Sequence, residues 1–424
     1  MTYTTKTATA LALILAGGSA SAEELSMLIG NDSDMVAIAE ALSAAYTEQN
    51  PDVTFDIEIR PGGSEGDNLV MTRLVTGEMA DIFENNSGAL LQALRPSRTL
   101  VPLNDIEAMD RLPETYTETV SDDEGSIYGV PWKPFSAGGI FYHRPTYEEL
   151  GLEVPTTWDE FMANNAAIAE QTDKAPIIQT YGDTWTSQII VLADYYNVQS
   201  EAPDFAEEFT ANETKFATTP AALRSFERLQ QVHESGYVNE DYAAASYNEG
   251  LRMVGSGEGV HYPMLTVGFN ALKQNNPELL ENVGIFGMPN DDPEDNGLTV
   301  WVPDSYYIPK SSENQELAKD FLNFVASTDG CEVILDTIGA VGPFVVEGCT
   351  LPDDVLPGIA ELLPYFEEEG RTAPALEFVS PLKGPSLEQL TVEVGSGIRE
   401  AQSAAELYDQ DVAKQARQLG LENW

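Results

Sequence analysis

Between residues 25 and 83, strand-length apolar runs alternate with helix-length periodic segments, and this alternation constrains the fold more than any other feature of the chain. LSMLIG (25–30) is an apolar run of strand length. Asn31, Asp32, Ser33 and Asp34 then supply capping residues for a helix with Val36, Ala39, Leu42 and Tyr46 on one face, which stops at Asn50-Pro51. VTFDIEI (53–59) alternates with period two, a second helix is expected over 67–76, and Gly77 leads to the short strand ADIF (80–83). This βαβαβ order predicts an α/β fold built on a doubly wound sheet flanked by helices. Ligands of such sheets sit beyond the carboxyl ends of the strands, which selects Gly30-Asn31-Asp32 and Glu84-Asn85-Asn86.

The pattern continues downstream. GGIFYHRP (138–145) reads as a strand, and Thr157 to Glu160 form a capping box for a helix with Trp158, Phe161, Met162 and Ile168 inward. Ser312 to Gln315 read as a second box, opening a helix with Leu317, Ala318, Phe321, Leu322 and Val325 as its apolar stripe. With 424 residues, 42% of them hydrophobic, the chain is long enough for two or three cores.

The N-terminus carries Lys6, an apolar run from Ala8 to Ala16, and Ala20-Ser21-Ala22 before Glu23. This is the layout of a secretory signal peptide over residues 1–22, and the run is short of the roughly 20 residues a membrane span needs. A Gram-negative periplasm is the expected location, with no insertion in the membrane. Cys331 and Cys349 lie close in sequence, and an oxidising compartment would let them pair; buried free thiols are the alternative. Neither these cysteines nor His143, His233 and His261 have metal-ligand spacing, and no cofactor is expected. The net charge of −49, from 70 acidic and 21 basic residues, argues against nucleic acid and anionic membranes as partners. It also makes any one pair of carboxylates uninformative.

Four longer segments carry a resemblance. MTRLVTGEMADIFENN (71–86), GSIYGVPWKPFSAGGIFYHRPTYEELGLEVPTTWDEF (125–161), GSGEGVHYPML (255–265) and YYIPKSSENQELAKDFLNFVAST (306–328) occur in an order and spacing similar to the extracellular solute-binding proteins of carbohydrate ABC importers, the group that includes maltose-binding protein. The likeness is loose over 190–245 and 345–424. It implies a two-lobed periplasmic binding protein fold of type II, with a cleft between the lobes that closes on a sugar, an oligosaccharide by expectation. The expected N-terminal lobe comprises 23–133 and 304–328, and the C-terminal lobe 134–303 and 329–424. The partners implied are the sugar and the membrane permease subunits of an ABC importer, the protein acting as a monomer and not as an enzyme.

A pyranose presents an apolar C–H face to aromatic rings and a hydroxyl rim to planar polar side chains. On this chemistry and the matching segments, Trp132 is the expected stacking ring and Lys133 a hydroxyl donor at the hinge. Tyr128 is expected to be structural. Trp185 and Tyr262 are candidates from the second lobe, and Trp301 and Asp304 from the second hinge crossing. Core packing is the alternative for each ring. Asn31, Glu84 and Asn85 complete the set from the strand ends, with helix capping the alternative for Asn31.

Other chemistries are weighed against this. GGSEG (62–66) satisfies the nucleophile-elbow pattern around Ser64, but the strand before it alternates with Thr54, Asp56 and Glu58 and no histidine follows His261. The pairs Tyr195-Tyr196 and Tyr306-Tyr307 suggest ferric-ion binders with a related fold, although a strand would turn the second pair to opposite faces. Asp291 to Asn296 imitate the start of a calcium loop, but Pro303 stands where its glutamate belongs.

Overall fold

The computed structural model describes residue 1 and residues 23–424, apart from 123, 340, 341, 353, 354 and 369. The expected signal peptide lies outside the described residues. Among the described residues no helix is long and apolar enough to cross a membrane.

Eleven strands form two sheets among the described residues. They are β1 (Glu23–Ile29), β2 (Val53–Ile59), β3 (Ile82–Asn85), β4 (Gly129–Pro131), β5 (Ser136–His143), β6 (Ala175–Ile177), β7 (Gly259–Leu265), β8 (Val283–Gly287), β9 (Leu298–Trp301), β10 (Ser305–Tyr307) and β11 (Thr372–Pro374). The first sheet runs β2-β1-β3-β10-β4, with β1 parallel to β2 and β3, and β10 antiparallel to β3 and β4. The second runs β11-β9-β5-β7-β6, with β8 also paired to β5. The helices α1 (Ser33–Gln49) and α2 (Gly63–Thr76) make the crossovers of the first sheet. The expected doubly wound order is therefore present, with two lobes.

Burial follows the residue patterns. Leu25, Met27, Leu28 and Ile29 make β1 a central strand, whereas β2 is an edge strand that exposes Thr54, Asp56 and Glu58. The Thr157 capping box forms as expected: its hydroxyl accepts from Glu160 N at 3.2 Å, and the Glu160 carboxylate accepts from Thr157 N at 3.1 Å. The Ser312 box does not form. Its hydroxyl instead donates to Asp81 at 2.7 Å and accepts from Asn314 N at 3.1 Å, and the helix begins later, at Gln315.

The chain passes from the first sheet to the second between β4 and β5, and returns between β9 and β10. The final passage lies later than residue 328. The helix Thr328–Ile338 turns Cys331, Ile334 and Ile338 into the core of the first sheet, joined there by Val345 and Val346, whereas from Val355 and Leu356 onward side chains pack on the second sheet's cores, with Ile359 and Leu362 buried in them. The apolar face of that helix, packed against α1, decides the matter. Cys331 and Cys349 are disulfide-bonded, tying this segment to the first lobe.

Candidate functional site

The carboxyl ends of β1, β2 and β3 meet the β4–β5 and β9–β10 passages at a cavity of about 160 Å³ between the lobes. Its first-lobe wall includes Asn31, Asp32, Arg60, Glu84 and Asn86. Its second-lobe wall includes Trp185, Gln188, Glu377, Lys383 and Glu388, and Lys133, Trp301 and Asp304 come from the two passages. An outer groove of about 580 Å³ between α2 and the C-terminal helices adjoins the cavity, the two sharing Asp67, Leu90, Gln188, Lys383 and Glu388.

Charged groups in this wall are arranged in pairs. Arg60 holds Glu84 at 2.9 Å, with both side chains buried. Lys133 pairs with Asp304, whose other oxygen accepts from Asn86 Nδ2 at 3.0 Å. Lys383 pairs with Glu377, which also accepts from Trp301 Nε1 at 3.0 Å. Burial pushes the Asp34, Glu84 and Asp67 carboxyls above the usual carboxylate range. Asp32 is pushed up to about 7 by burial and by the neighbouring Asp34 charge, against the pull of Lys133. Burial alone would lower the Lys133 ammonium, but Asp304, Asp34 and Glu84 outweigh it and hold the group above its ordinary value.

The lobes touch where Glu388, on the helix Leu387–Gly395, accepts from Ser64 Oγ at 3.2 Å and from Thr184 Oγ1 at 2.8 Å. Gly63 makes this approach possible: its φ is +63°, and a Cβ there would stand 3.1 Å from Glu388 and 3.2 Å from Thr184. The Ser64 hydroxyl is thus engaged by a carboxylate and not by a histidine, and the strand before it is an edge strand.

Of the residues singled out from sequence, Asn31, Glu84, Lys133, Trp185, Trp301 and Asp304 border the cavity. Asn85, Trp132 and Tyr262 do not. Trp132 is 1% exposed and stacks on Tyr306, ring centroids 5.5 Å apart, so the first core takes up the ring expected to hold the sugar. Tyr262, also 1% exposed, bonds Thr180 through its hydroxyl at 2.7 Å in a core of the second lobe. Asn85 is buried in β3 opposite Ser305. Tyr128 is buried, and its hydroxyl donates to Asp122 at 2.6 Å. Sequence reasoning reached Asp32 and Asn86 as strand-end positions without selecting them, and the same rule applied to β2 would have found Arg60. Glu377, Lys383 and Glu388 lie in the loosely matching C-terminal stretch, where an acid-rich sequence offers no signal.

Residues 30–330 match the family model for bacterial extracellular solute-binding proteins. The chain belongs to this family. Among curated relatives of this solute-binding protein, the multiple sugar-binding protein of Streptococcus mutans is 21% identical over 327 residues, 74% of this chain and 73% of that protein. The lactose-binding protein of Rhizobium radiobacter is 24% identical over 374 residues, 82% of each chain. Two solved structures with the same fold, each 18% identical, are a chitin oligosaccharide binding protein, with TM-score 0.79 over 93% of this chain and 100% of that one, and RafE in complex with raffinose, with TM-score 0.74 over 93% and 99%.

Proposed function

We propose that this solute-binding protein captures a sugar between its lobes and delivers it to the permease of an ABC importer. The observation that carries the reading is the make-up of the cleft. Two indoles, Trp185 and Trp301, supply flat apolar faces, while Asn31, Asn86, Lys133, Asp304 and the Arg60–Glu84 pair supply planar or charged hydrogen-bonding groups for hydroxyls. The outer groove adjoins the cavity and shares five lining residues with it, which gives an oligosaccharide, but not a single ring, further surface to occupy. The printed functions of the multiple sugar-binding and lactose-binding relatives favour the same ligand class.

On this reading the protein is a periplasmic monomer that performs no chemistry on its ligand, and the residues lining the cavity form its binding site. Ferric-ion binding is less well supported. Tyr196 and Tyr307 direct their hydroxyls to separate backbone carbonyls, those of Gly370 and Asn86, and Tyr306 stacks on Trp132. A serine hydrolase is disfavoured by the Ser64–Glu388 contact.

A thermal-shift panel of mono- and oligosaccharides, with ferric citrate as control, tests the proposal. A sugar that raises the melting temperature and is recovered intact supports it. Stabilisation by ferric citrate alone, or hydrolysis of the sugar in step with protein concentration, overturns it.

A further inference from the structure

We propose that the solute is an acidic oligosaccharide, with a neutral unit in the cavity and a uronic acid unit in the outer groove, where Arg95 and Arg98 receive its carboxylate. The inference rests on the sugar reading above and narrows it to one chemical class.

Charge separates the two spaces. The cavity wall carries Asp32, Asp67, Glu84, Asp304, Glu377 and Glu388. Against them stand Arg60, Lys133 and Lys383, each already paired with a carboxylate of the same wall. The groove reverses the balance, with Arg95, Arg98, Lys383 and Lys414 against Asp67, Glu388 and Asp411. In a chain with 70 acidic and 21 basic residues, a wall with more bases than acids departs from the composition, and of the two spaces it is the one where an anion meets less repulsion.

Two of the groove's acids are engaged. Glu388 accepts from Ser64 and Thr184, and Asp411 accepts from Ser386 N at 2.8 Å and Ser386 Oγ at 2.7 Å. The third, Asp67, borders the cavity as well. The arginines are free. Among the described residues, Arg95, Arg98, Lys273 and Arg417 are the basic side chains with neither an ion pair nor a side-chain hydrogen bond, and the first two stand three positions apart on the wall of this one groove. A guanidinium takes a carboxylate in a two-bond fork, which a uronate supplies and a neutral sugar does not. Met71, Leu74 and Val75 of α2 give the groove aliphatic surface for the C–H face of the ring.

Gln188 connects the two spaces. It borders both and is 6% exposed, yet its Oε1 has no donor among the described residues. A buried amide oxygen without a donor is costly, and a sugar hydroxyl at the junction provides one. One ligand that crosses the junction satisfies Gln188 and reaches both spaces.

The test compares matched oligosaccharides by titration calorimetry at pH 7, each pair differing by a carboxylate in place of the C6 hydroxymethyl group: oligogalacturonate with oligogalactose, oligomannuronate with oligomannose, and cellobiouronate with cellobiose. Methyl esters of the uronates keep the ring and remove the charge. Octanoate serves as a carboxylate without a sugar. The expected result is that at least one acidic oligosaccharide binds at least tenfold more tightly than both its neutral partner and its ester. That ratio should fall at least fivefold in the double variant Arg95→Gln with Arg98→Gln or, if the double variant does not fold, in Arg98→Gln alone, and it should also fall with added salt because the arginines are exposed. Gln188→Leu should instead weaken the acidic and neutral members alike, by at least fivefold, and keep their ratio. Neutral sugars bound within tenfold of their acidic partners, or more tightly, in every pair overturn this inference and leave the sugar reading standing. An unchanged ratio in the arginine variants, or a folded Gln188→Leu that binds like wild type, also overturns it. Binding of octanoate alone, or of no sugar, overturns both.

Discussion

Lys133 and Asp304 stand on different passages of the chain between the lobes, and their side chains pair at the base of the cleft. The Lys133 ammonium also lies 5.0 Å from the centre of the Trp132 ring, so the ring that packs the first core holds the cation in place. Removing one partner leaves the other buried and uncompensated. Lys133→Met should therefore lose about 3–5 kcal/mol in urea denaturation. The double variant with Asp304→Asn should recover a large part of the loss. Independent, additive losses in the double-mutant cycle would show that the pair is not coupled.

The two kinds of indole should separate cleanly. Trp185 borders the cavity and approaches Gly62 of the first lobe across it, whereas Trp132 is enclosed by the first core. Trp185→Ala should weaken sugar binding by about 1–2 kcal/mol, roughly tenfold in Kd, with little change in melting temperature. Trp132→Ala should cost about 3–5 kcal/mol of stability. Calorimetric titration beside thermal denaturation measures both quantities, and the reverse pattern would return the stacking role to Trp132.

These two residues also show what could be read from the sequence. The doubly wound first sheet followed from the alternation of LSMLIG, its capped helix and VTFDIEI, and the strand-end rule reached the segments that hold Asn31, Asp32, Glu84 and Asn86. Aromatic composition was a poorer guide. Trp132 and Lys133 stand at the bend that follows β4, where no strand alternation assigns their sides, and the indole enters the first core while the lysine borders the cavity. That outcome depends on Tyr306, 174 positions later, whose ring completes the stack. Tyr262 failed for a related reason: β7 is buried over nearly its whole length, and Gly250 on a neighbouring helix leaves room for its ring. The final passage was misplaced because the apolar face of Thr328–Ile338 fits either lobe by pattern, and only its packing on α1 chooses.

The disulfide ties the helix Thr328–Ile338 to the segment that leads out of the first lobe. Closing a loop with a sequence separation of 18 limits the unfolded chain by about 3 kcal/mol in the chain-entropy account. Replacing both Cys331 and Cys349 by Ala should lower stability by a comparable amount, and a reductant should lower the wild-type melting temperature but not that of the variant. Equal sensitivity of both proteins to reductant would remove the bond from the explanation.

Asp32 should make the empty protein less stable as the pH rises. Its carboxyl is pushed up to about 7 by burial and by Asp34, with Glu84 at the end of β3 and Asp183 of the second lobe adding to the effect and Lys133 opposing it. An acid whose folded value lies above its unfolded value of 3.8 binds more protons in the folded state between those limits. The contribution of Asp32 is therefore neutral below about pH 4, becomes unfavourable as the pH rises through that window, and is complete above about 7. His143, lowered to about 4 chiefly by burial, and His261, lowered further by burial, act the other way: they favour folding above pH 6.5 and lose that contribution as the pH falls. The wild-type curve thus combines opposing slopes, and the difference between wild type and Asp32→Asn cancels the histidines. The variant should be more stable by about 2 kcal/mol at pH 8, a figure discounted for the partial exposure of the side chain, with the gap closing toward pH 4. Paired urea titrations of the ligand-free proteins at pH 4, 6 and 8 measure the gap directly. A gap that stays constant, or widens on acidification, would mean that Asp32 is ionised in the folded protein throughout and that the cleft carries its charge without strain.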